Sequence, residues 1–396
     1  MDYVQDHTHE VMDKYNIPFS RIRIGIEERT LLQEVLDSGW LTTAGMTRRF
    51  EDEFAQMIGS RFACAVNSCT AALHLGAEAL GIRQGSKVFV PTMTFTASAE
   101  IIRYLGADPI LLDVDYGTNL ITPAILEEAI LHHPDVQYMV LVHYGGQMAE
   151  MPALNSICAN HNIRILEDAA HAFPARLNGQ SVGSFGNITC FSFYANKTIT
   201  TGEGGMLVTD DEELHARIKT MRLHGINRDI WGRFTTKGSG WEYDVVEAGF
   251  KYNMPDLAAA IGLGQLGKAE RWRKTRQDIA ARYFQRLQGI PHLDLPVLNV
   301  DPQDHAWHLF PMVIKDSSRL NRNDFIDSMS KVGIGTSVHY KPLHRMTYYK
   351  DRYGLRNEDY PNSEKTWKGN VSLPLHSFLE LEDVDLVCDA VIRLLG

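Results

Sequence analysis

Five short apolar runs, Phe62–Val66, Lys87–Val90, Pro109–Asp113, Tyr138–Val142 and Ile163–Glu167, alternate with segments of helical spacing at Thr70–Leu80, Ala97–Leu105, Pro123–Leu131 and Met151–His161. Strands separated by helices of this length need crossover connections, which place consecutive strands parallel in one sheet with helices over both faces. The expected fold class is therefore α/β with a mainly parallel sheet. In open sheets of this kind a ligand sits beyond the carboxyl ends of the strands. Chemistry is expected just after each apolar run.

Around this block the pattern differs. Ile26–Gly59 reads as two helices interrupted at Ser38–Gly45, and further strands are expected at Ile188–Phe193 and Gly205–Thr209, followed by a helix through Leu223. His224–Phe250 is rich in Gly and aromatic residues without periodicity, and loops of that length in compact domains are usually functional or disordered. Trp231, Trp241 and Tyr243 favour the functional option. Leu257–Leu287 has helical spacing and leads out of the first domain. Beyond about Pro291, strand-like Trp307–Ile314 and Gly335–Tyr340 alternate with helical Asn321–Lys331 and a last helix near Val384. The reading is a large domain over residues 1–255 and a linking helix with a smaller α+β domain over residues 256–396.

Composition narrows the partners. With 49 acidic and 39 basic side chains the net charge is -10, which disfavours nucleic-acid binding, where a basic stripe is the rule. An anionic small ligand stays compatible, since it needs only a local cluster of donors. The chain shows no apolar run of membrane-spanning length and no apolar segment in its polar first residues, so a cytoplasmic location and no membrane partner are expected. Cys64, Cys69, Cys158, Cys190 and Cys388 are scattered and odd in number, which suits reduced thiols and writes neither a disulfide framework nor a zinc pattern.

Four strand ends carry candidate groups. Asn67–Leu73 opens a helix directly after a strand, where unpaired amides and the positive dipole end would let Cys69 and Thr70 receive a phosphate. Phe95, after the next strand, could stack on a planar heteroaromatic ring. Asp168 closes Ile163–Glu167 and could keep a ring nitrogen protonated, with His171 three residues on. Lys197 lies between the strand ending at Phe193 and a turn holding Gly202, Gly204 and Gly205, with the Ser192 hydroxyl five residues before it. A poorly solvated lysine there favours the neutral amine that attacks a carbonyl. Taken singly, these have ordinary readings as helix caps, core aromatics and a solvated lysine. Together, phosphate donors, a stacking aromatic, an acid for a ring nitrogen and a carbonyl-binding amine describe a site for pyridoxal 5'-phosphate (PLP).

The same passages resemble the DegT/DnrJ/EryC1/StrS group of sugar aminotransferases over about Ile24–Leu395. The likeness is carried by Asn67–His74, Val90–Ala97, Glu167–Ala172, Ser192–Gly205 and Gly249–Leu257. It implies a fold-type I PLP-dependent transferase with a sheet of the seven-stranded type. It also implies that Lys197 bears the cofactor and carries the proton, that Asp168 faces the pyridine nitrogen with His171 near the ring, that Cys69, Thr70 and Ser192 hold the phosphate and that Phe95 packs on the ring. A residue matching Asn253 reaches the phosphate of the other subunit in this family, which implies a homodimer with a shared site. Cys69 stands where glycine is common, a departure that a backbone phosphate contact tolerates.

The implied reaction moves an amino group from L-glutamate, leaving 2-oxoglutarate, to a nucleotide-linked keto sugar through the pyridoxamine 5'-phosphate (PMP) form of the cofactor. The Lys197 and Asn253 segments look most like the branch that acts on a UDP-linked 4-keto-pentose. A lysine at this position favours transamination over the dehydration catalysed by members with histidine there; a non-catalytic PLP-binding regulator or a PLP-dependent sugar dehydratase are the alternatives. For the sugar nucleotide the candidates are Arg228, Arg233, Lys237 and Lys251, then His339, Tyr340, Lys341 and His344, with Trp40 as a stacking face.

Overall fold

The computed structural model describes residues 15–227 and 243–396. Helices α1 (Ile26–Ser38) and α2 (Gly45–Ile58) come first. The alternating block follows as β1 (Phe62–Val66), α3 (Cys69–Ala79), β2 (Lys87–Pro91), α4 (Ala97–Tyr104), β3 (Asp108–Leu112), α5 (Pro123–His132), β4 (Tyr138–Val142), α6 (Met151–Asn160) and β5 (Arg164–Asp168). A two-residue hairpin, β6 (Arg176–Leu177) and β7 (Gln180–Ser181), leads to β8 (Ile188–Ser192), β9 (Gly205–Thr209) and α7 (Glu212–Met221).

These strands form a seven-stranded sheet in the order β1-β9-β8-β5-β4-β2-β3. Only β9 runs antiparallel to its neighbours; the other pairings are parallel. Side chains alternate between the two faces as a pleated strand requires. Phe89, Leu141, Ile165 and Phe191 enter a core shared with α2, α5 and α6, whereas Val88, Val140, Leu166 and Cys190 enter one shared with α3, α4 and α7. Burial on both faces explains why these strands read as near-continuous apolar runs.

The segment read as one or two long helices is two, α8 (Asp256–Leu266) and α9 (Ala269–Leu287), separated at Gly267–Lys268. Ala269 and Trp272 at the start of α9 belong to the first core, and Ile279, Tyr283 and Leu287 further along belong to a third. That third core is closed by β10 (Leu293–Asp294), β11 (Phe310–Ile314), α10 (Arg322–Lys331), β12 (Asn370–Leu373) and α13 (Leu381–Leu395), with β10, β11 and β12 in an antiparallel sheet, whereas Tyr349 of α11 (Thr347–Tyr353) joins the second core and α12 (Pro361–Gly369) leads into β12.

Two strand expectations need correction. Of Trp307–Ile314 only Phe310–Ile314 is strand, because the preceding backbone is committed elsewhere: the Ala306 and Leu309 amides donate to the Gly146 and Gly145 carbonyls at 2.8 and 3.0 Å. Gly335–Tyr340 is not a strand. It pairs with β12 at one residue, Ser337 with Ser372, and side chains replace the ladder after that: Tyr144 and Asn370 both donate to the His339 carbonyl. All five cysteines are free thiols. Among the described residues no helix is long and apolar enough to cross a membrane.

Candidate active site

A cavity of about 510 Å³ opens beyond the carboxyl ends of β5 and β8. Its walls include Cys69, Thr70, Phe95, Asp168, His171, Ser192, Lys197, His339 and Tyr340, so nine of the expected site residues share one space. A larger groove of about 660 Å³ lies at the opposite end of the sheet, around Tyr138 and Arg164 where β4 and β5 begin, and holds none of them.

Lys197 is placed by the turn between the antiparallel strands β8 and β9. The Phe193 amide donates to the Gly204 carbonyl at 2.9 Å, and the Thr201 amide to the Phe193 carbonyl at 3.0 Å. Gly202 takes φ 83°, a left-handed conformation that favours glycine. The lysine points inward, and burial lowers its pKa from 10.5 to about 8 against the opposing pull of Asp168. A substantial fraction of its amine is therefore neutral near physiological pH.

Asp168 is the last residue of β5 and is buried. Its Oδ2 accepts from the Ser98 hydroxyl at 2.7 Å and its Oδ1 from the Ala170 amide at 3.1 Å. Burial raises its pKa, while Ser98, Ala170 and Lys197 act in the other direction. A cationic ring nitrogen beside it would add the compensating charge that a buried carboxylate needs.

Across the cavity Ser68 caps α3, its Oγ accepting from the Ala71 amide at 3.1 Å. The amides of Cys69 and Thr70 lie in the first turn of α3, where no intrahelical acceptor is available, and both residues line the cavity together with Ser192. An ideal Cβ on Gly205 would lie 2.6 Å from the Ser68 carbonyl oxygen and 2.8 Å from the Cys69 nitrogen, so only glycine lets β9 approach this helix end. Half-buried Cys69 has its thiol pushed well above its ordinary value, chiefly by desolvation, and contributes no negative charge.

His171 has a defined tautomer. The Gly145 amide donates to Nδ1 at 3.3 Å, so Nε2 carries the hydrogen and donates to the Tyr340 oxygen at 2.8 Å. The Tyr340 O–H is left free to donate into the cavity. Burial holds His171 well below its ordinary pKa, with Lys197 and His339 adding to the effect. Phe95 is 56% exposed on the rim, its ring 5.8 Å from that of Tyr340.

Other candidates stand apart. His344 is fully buried, with Nδ1 2.8 Å from the Thr92 hydroxyl and Nε2 2.7 Å from the Glu364 carboxylate; both nitrogens are committed, which corrects its reading as a substrate contact. Trp40, Lys251 and Asn253 do not line the cavity of their own chain. Lys251 donates to Asn253, whose amide donates to the Thr43 hydroxyl at 2.6 Å. Arg228, Arg233 and Lys237, with Trp231 and Trp241, lie outside the described residues. Two groups were missed: Ser98, which reads as an ordinary helix residue, and His308, whose Nε2 is 3.3 Å from the Lys197 amine although its sequence context reads as core strand.

The profile of the DegT/DnrJ/EryC1/StrS aminotransferase family matches residues 23–392. The chain belongs to this family. It is 42% identical to the spore coat polysaccharide biosynthesis protein SpsC of Bacillus subtilis over 95% of this chain and 96% of SpsC. The PLP-form structure of Spr1654 from Streptococcus pneumoniae, assigned as a sugar aminotransferase, superposes with a TM-score of 0.87 at 31% identity, covering 96% of this chain and 100% of that one. Helicobacter pylori PseC, an aminotransferase involved in the biosynthesis of pseudoaminic acid, superposes with a TM-score of 0.88 at 26% identity, covering 96% and 99%. The fold is thus fold-type I, and this family member is an aminotransferase with PLP as its cofactor. The donor set fits that group: a helix amino end with two hydroxyls for a phosphate, a buried carboxylate for a ring nitrogen and a largely desolvated amine for an aldehyde.

Proposed function

We propose that the protein transfers the amino group of L-glutamate to the 4-keto group of a nucleotide-linked sugar, making an amino sugar for a glycan, lipid or glycoside. The observation that carries this reading is the inward-facing Lys197 amine, in one cavity with Asp168 and the amino end of α3. The polysaccharide and pseudoaminic acid assignments of SpsC and PseC support a sugar as the amine acceptor.

In this reading the Cys69 and Thr70 amides, with the hydroxyls of Thr70 and Ser192, bind the cofactor phosphate. Asp168 faces the pyridine nitrogen and keeps its proton in place, with Ser98 fixing the carboxylate. Phe95 would pack on the ring and His171 would lie near it. PLP, when bound, supplies a ring that withdraws electrons from the carbon being deprotonated. Lys197 would hold the aldehyde of the cofactor through its amine and would move a proton to and from the substrate carbon; its pKa, lowered by burial to about 8, suits both directions near neutral pH. His339 and Tyr340 face the sugar, with the free Tyr340 O–H as a donor to it.

A second copy of the chain completes the site. Asn253, anchored on Thr43, reaches the cofactor phosphate of the other subunit, and Lys251 and Trp40 face the other subunit's sugar nucleotide. Val245 and Val246, 54% and 55% exposed close by in sequence, are apolar surface for that contact. We place the reaction in the cytoplasm, in keeping with five free thiols.

Two experiments test the reading. Borohydride reduction of the PLP-loaded protein should fix the cofactor to Lys197 alone, as peptide mass shows; an adduct on another lysine would sink the assignment. Incubation with L-glutamate and UDP-, dTDP- or GDP-linked keto sugars should give 2-oxoglutarate in step with an amino sugar. Turnover of free keto acids with none of the sugar nucleotides would refute the acceptor class.

A further inference from the structure

The Lys197 amine has a single described side-chain partner within hydrogen-bond distance, His308 Nε2 at 3.3 Å. The relation is mutual. His308 Nδ1 is buried without a partner among the described residues, so the amine is the only hydrogen-bond partner of that ring.

The backbone that presents His308 is strongly constrained. Trp307, immediately before it, has φ 50°, in the left-handed region that a bulky aromatic side chain rarely adopts. Such a conformation persists where its surroundings over-determine it. Here the Trp307 amide donates to His305 Nδ1 at 2.7 Å, its indole donates to the Pro302 carbonyl at 2.9 Å and its carbonyl accepts from Arg276 at 3.2 Å. On the far side Gly146 comes so close that an ideal Cβ there would lie 2.9 Å from the His308 nitrogen. The His308 ring also contacts the His171 ring, centroids 4.5 Å apart. A merely space-filling histidine explains neither the strained approach nor the shared lack of other partners.

We propose that His308 is a positioning residue for Lys197, its Nε2 accepting a hydrogen bond from the ammonium and from an N–H of the neutral amine alike, so that the amine stays aimed into the cavity in both protonation states. The inference rests on the assignment of Lys197 as the cofactor-bearing lysine. Burial keeps the His308 imidazole neutral, well below its ordinary pKa, with the positive charge of Lys197 and Arg276 reinforcing it. A neutral imidazole keeps a lone pair on Nε2 to accept from the amine; an imidazolium would have none. Asp168 and Cys69 face the amine from strand and helix ends, His171 and His339 from the other walls, and Glu203 from the rim. Of these, Asp168 favours the ammonium through charge; His308 acts by direct contact.

The bond to the ammonium is charge-assisted and about twice as strong as that to the amine. Removing His308 should therefore disfavour the ammonium. The test is the pH dependence of Lys197 acetylation in a brief pulse of acetic anhydride, read by peptide mass on the full chain before PLP is added. The unaltered protein should show a midpoint near 8. In His308→Leu the midpoint should fall by about one pH unit, the scale of one charge-assisted bond. His308→Asn, whose amide is too short to reach, should behave like the leucine variant and covers the case in which leucine misfolds. His308→Gln, whose amide oxygen reaches further, should recover at least half of the shift. Unchanged midpoints in folded Leu or Asn variants, or a Gln variant as shifted as they are, would overturn the proposal. Borohydride trapping on the same proteins separates the two failures. An adduct on a different lysine in the unaltered protein removes the Lys197 assignment itself, whereas an adduct on Lys197 with unmoved midpoints removes only the role of His308.

Discussion

Asp168 and Lys197 show how differently one residue can matter to binding and to rate. Asp168 meets the proposed ring nitrogen from a strand end, its two oxygens held by Ser98 and Ala170. An amide at that position keeps the shape and loses the charge. Asp168→Asn is expected to retain PLP binding within about tenfold, since the phosphate contacts are untouched, and to lose more than about a hundredfold in kcat, the scale for removing one preorganised electrostatic group. Spectroscopic titration with PLP and steady-state kinetics measure the two. A loss in kcat of tenfold or less would make Asp168 only a cap. Both positions were legible in the sequence because one closes an apolar strand and the other lies in the turn beyond one, where a sheet of this kind delivers a ligand. His308 was not, because it is aimed by a left-handed Trp307 and by contacts with Gly146, which lies more than 150 positions earlier in the chain. His344 misled for the converse reason. Its neighbourhood looks like a turn next to Tyr340, and the partners that occupy it, Thr92 and Glu364, are distant in sequence.

The elements of the first sheet were legible to within a residue or two, since burial on both faces writes each strand as an apolar run and each crossover as a helix. The segment Gly335–Tyr340 was not, since an extended backbone satisfied by Tyr144 and Asn370 has the composition of a strand without its pairing. Between β9 and α3 the decisive property is closeness. Gly205→Ala would put a methyl group 2.6 Å from the Ser68 carbonyl oxygen, and neither backbone can retreat without moving the end of its element. The variant should lose about 1–3 kcal/mol of stability, as overpacking does, and bind PLP at least tenfold more weakly because the Cys69 and Thr70 amides shift. Denaturant unfolding and PLP titration check the two effects. A variant of unchanged affinity would show that these amides do not hold the phosphate.

Over the whole molecule, buried neutral histidines set the response to acid. Burial pushes His305 down to about 3, and His339 and His376 down to about 4. Their folded values lie below the unfolded one near 6.5, so the stability they contribute is complete above pH 6.5 and is lost as pH falls towards 4, when the unfolded chain takes up protons that the folded chain refuses. The thermal midpoint should drop by more than about 5 °C between pH 6.5 and 4.5, at roughly 2 °C per kcal/mol for a chain of this size. A flat calorimetric profile over that window would contradict it. The cavity is also a property of the whole chain: its walls run from Ser68 to Tyr340, and the His339–Tyr340 wall is fastened by Asn370 and Ser372 still later. A growing chain released as far as Lys197 owns the reactive lysine but not the wall opposite. The complete cavity therefore exists only once β12 has docked, when the chain from Ser68 through Ser372 has folded.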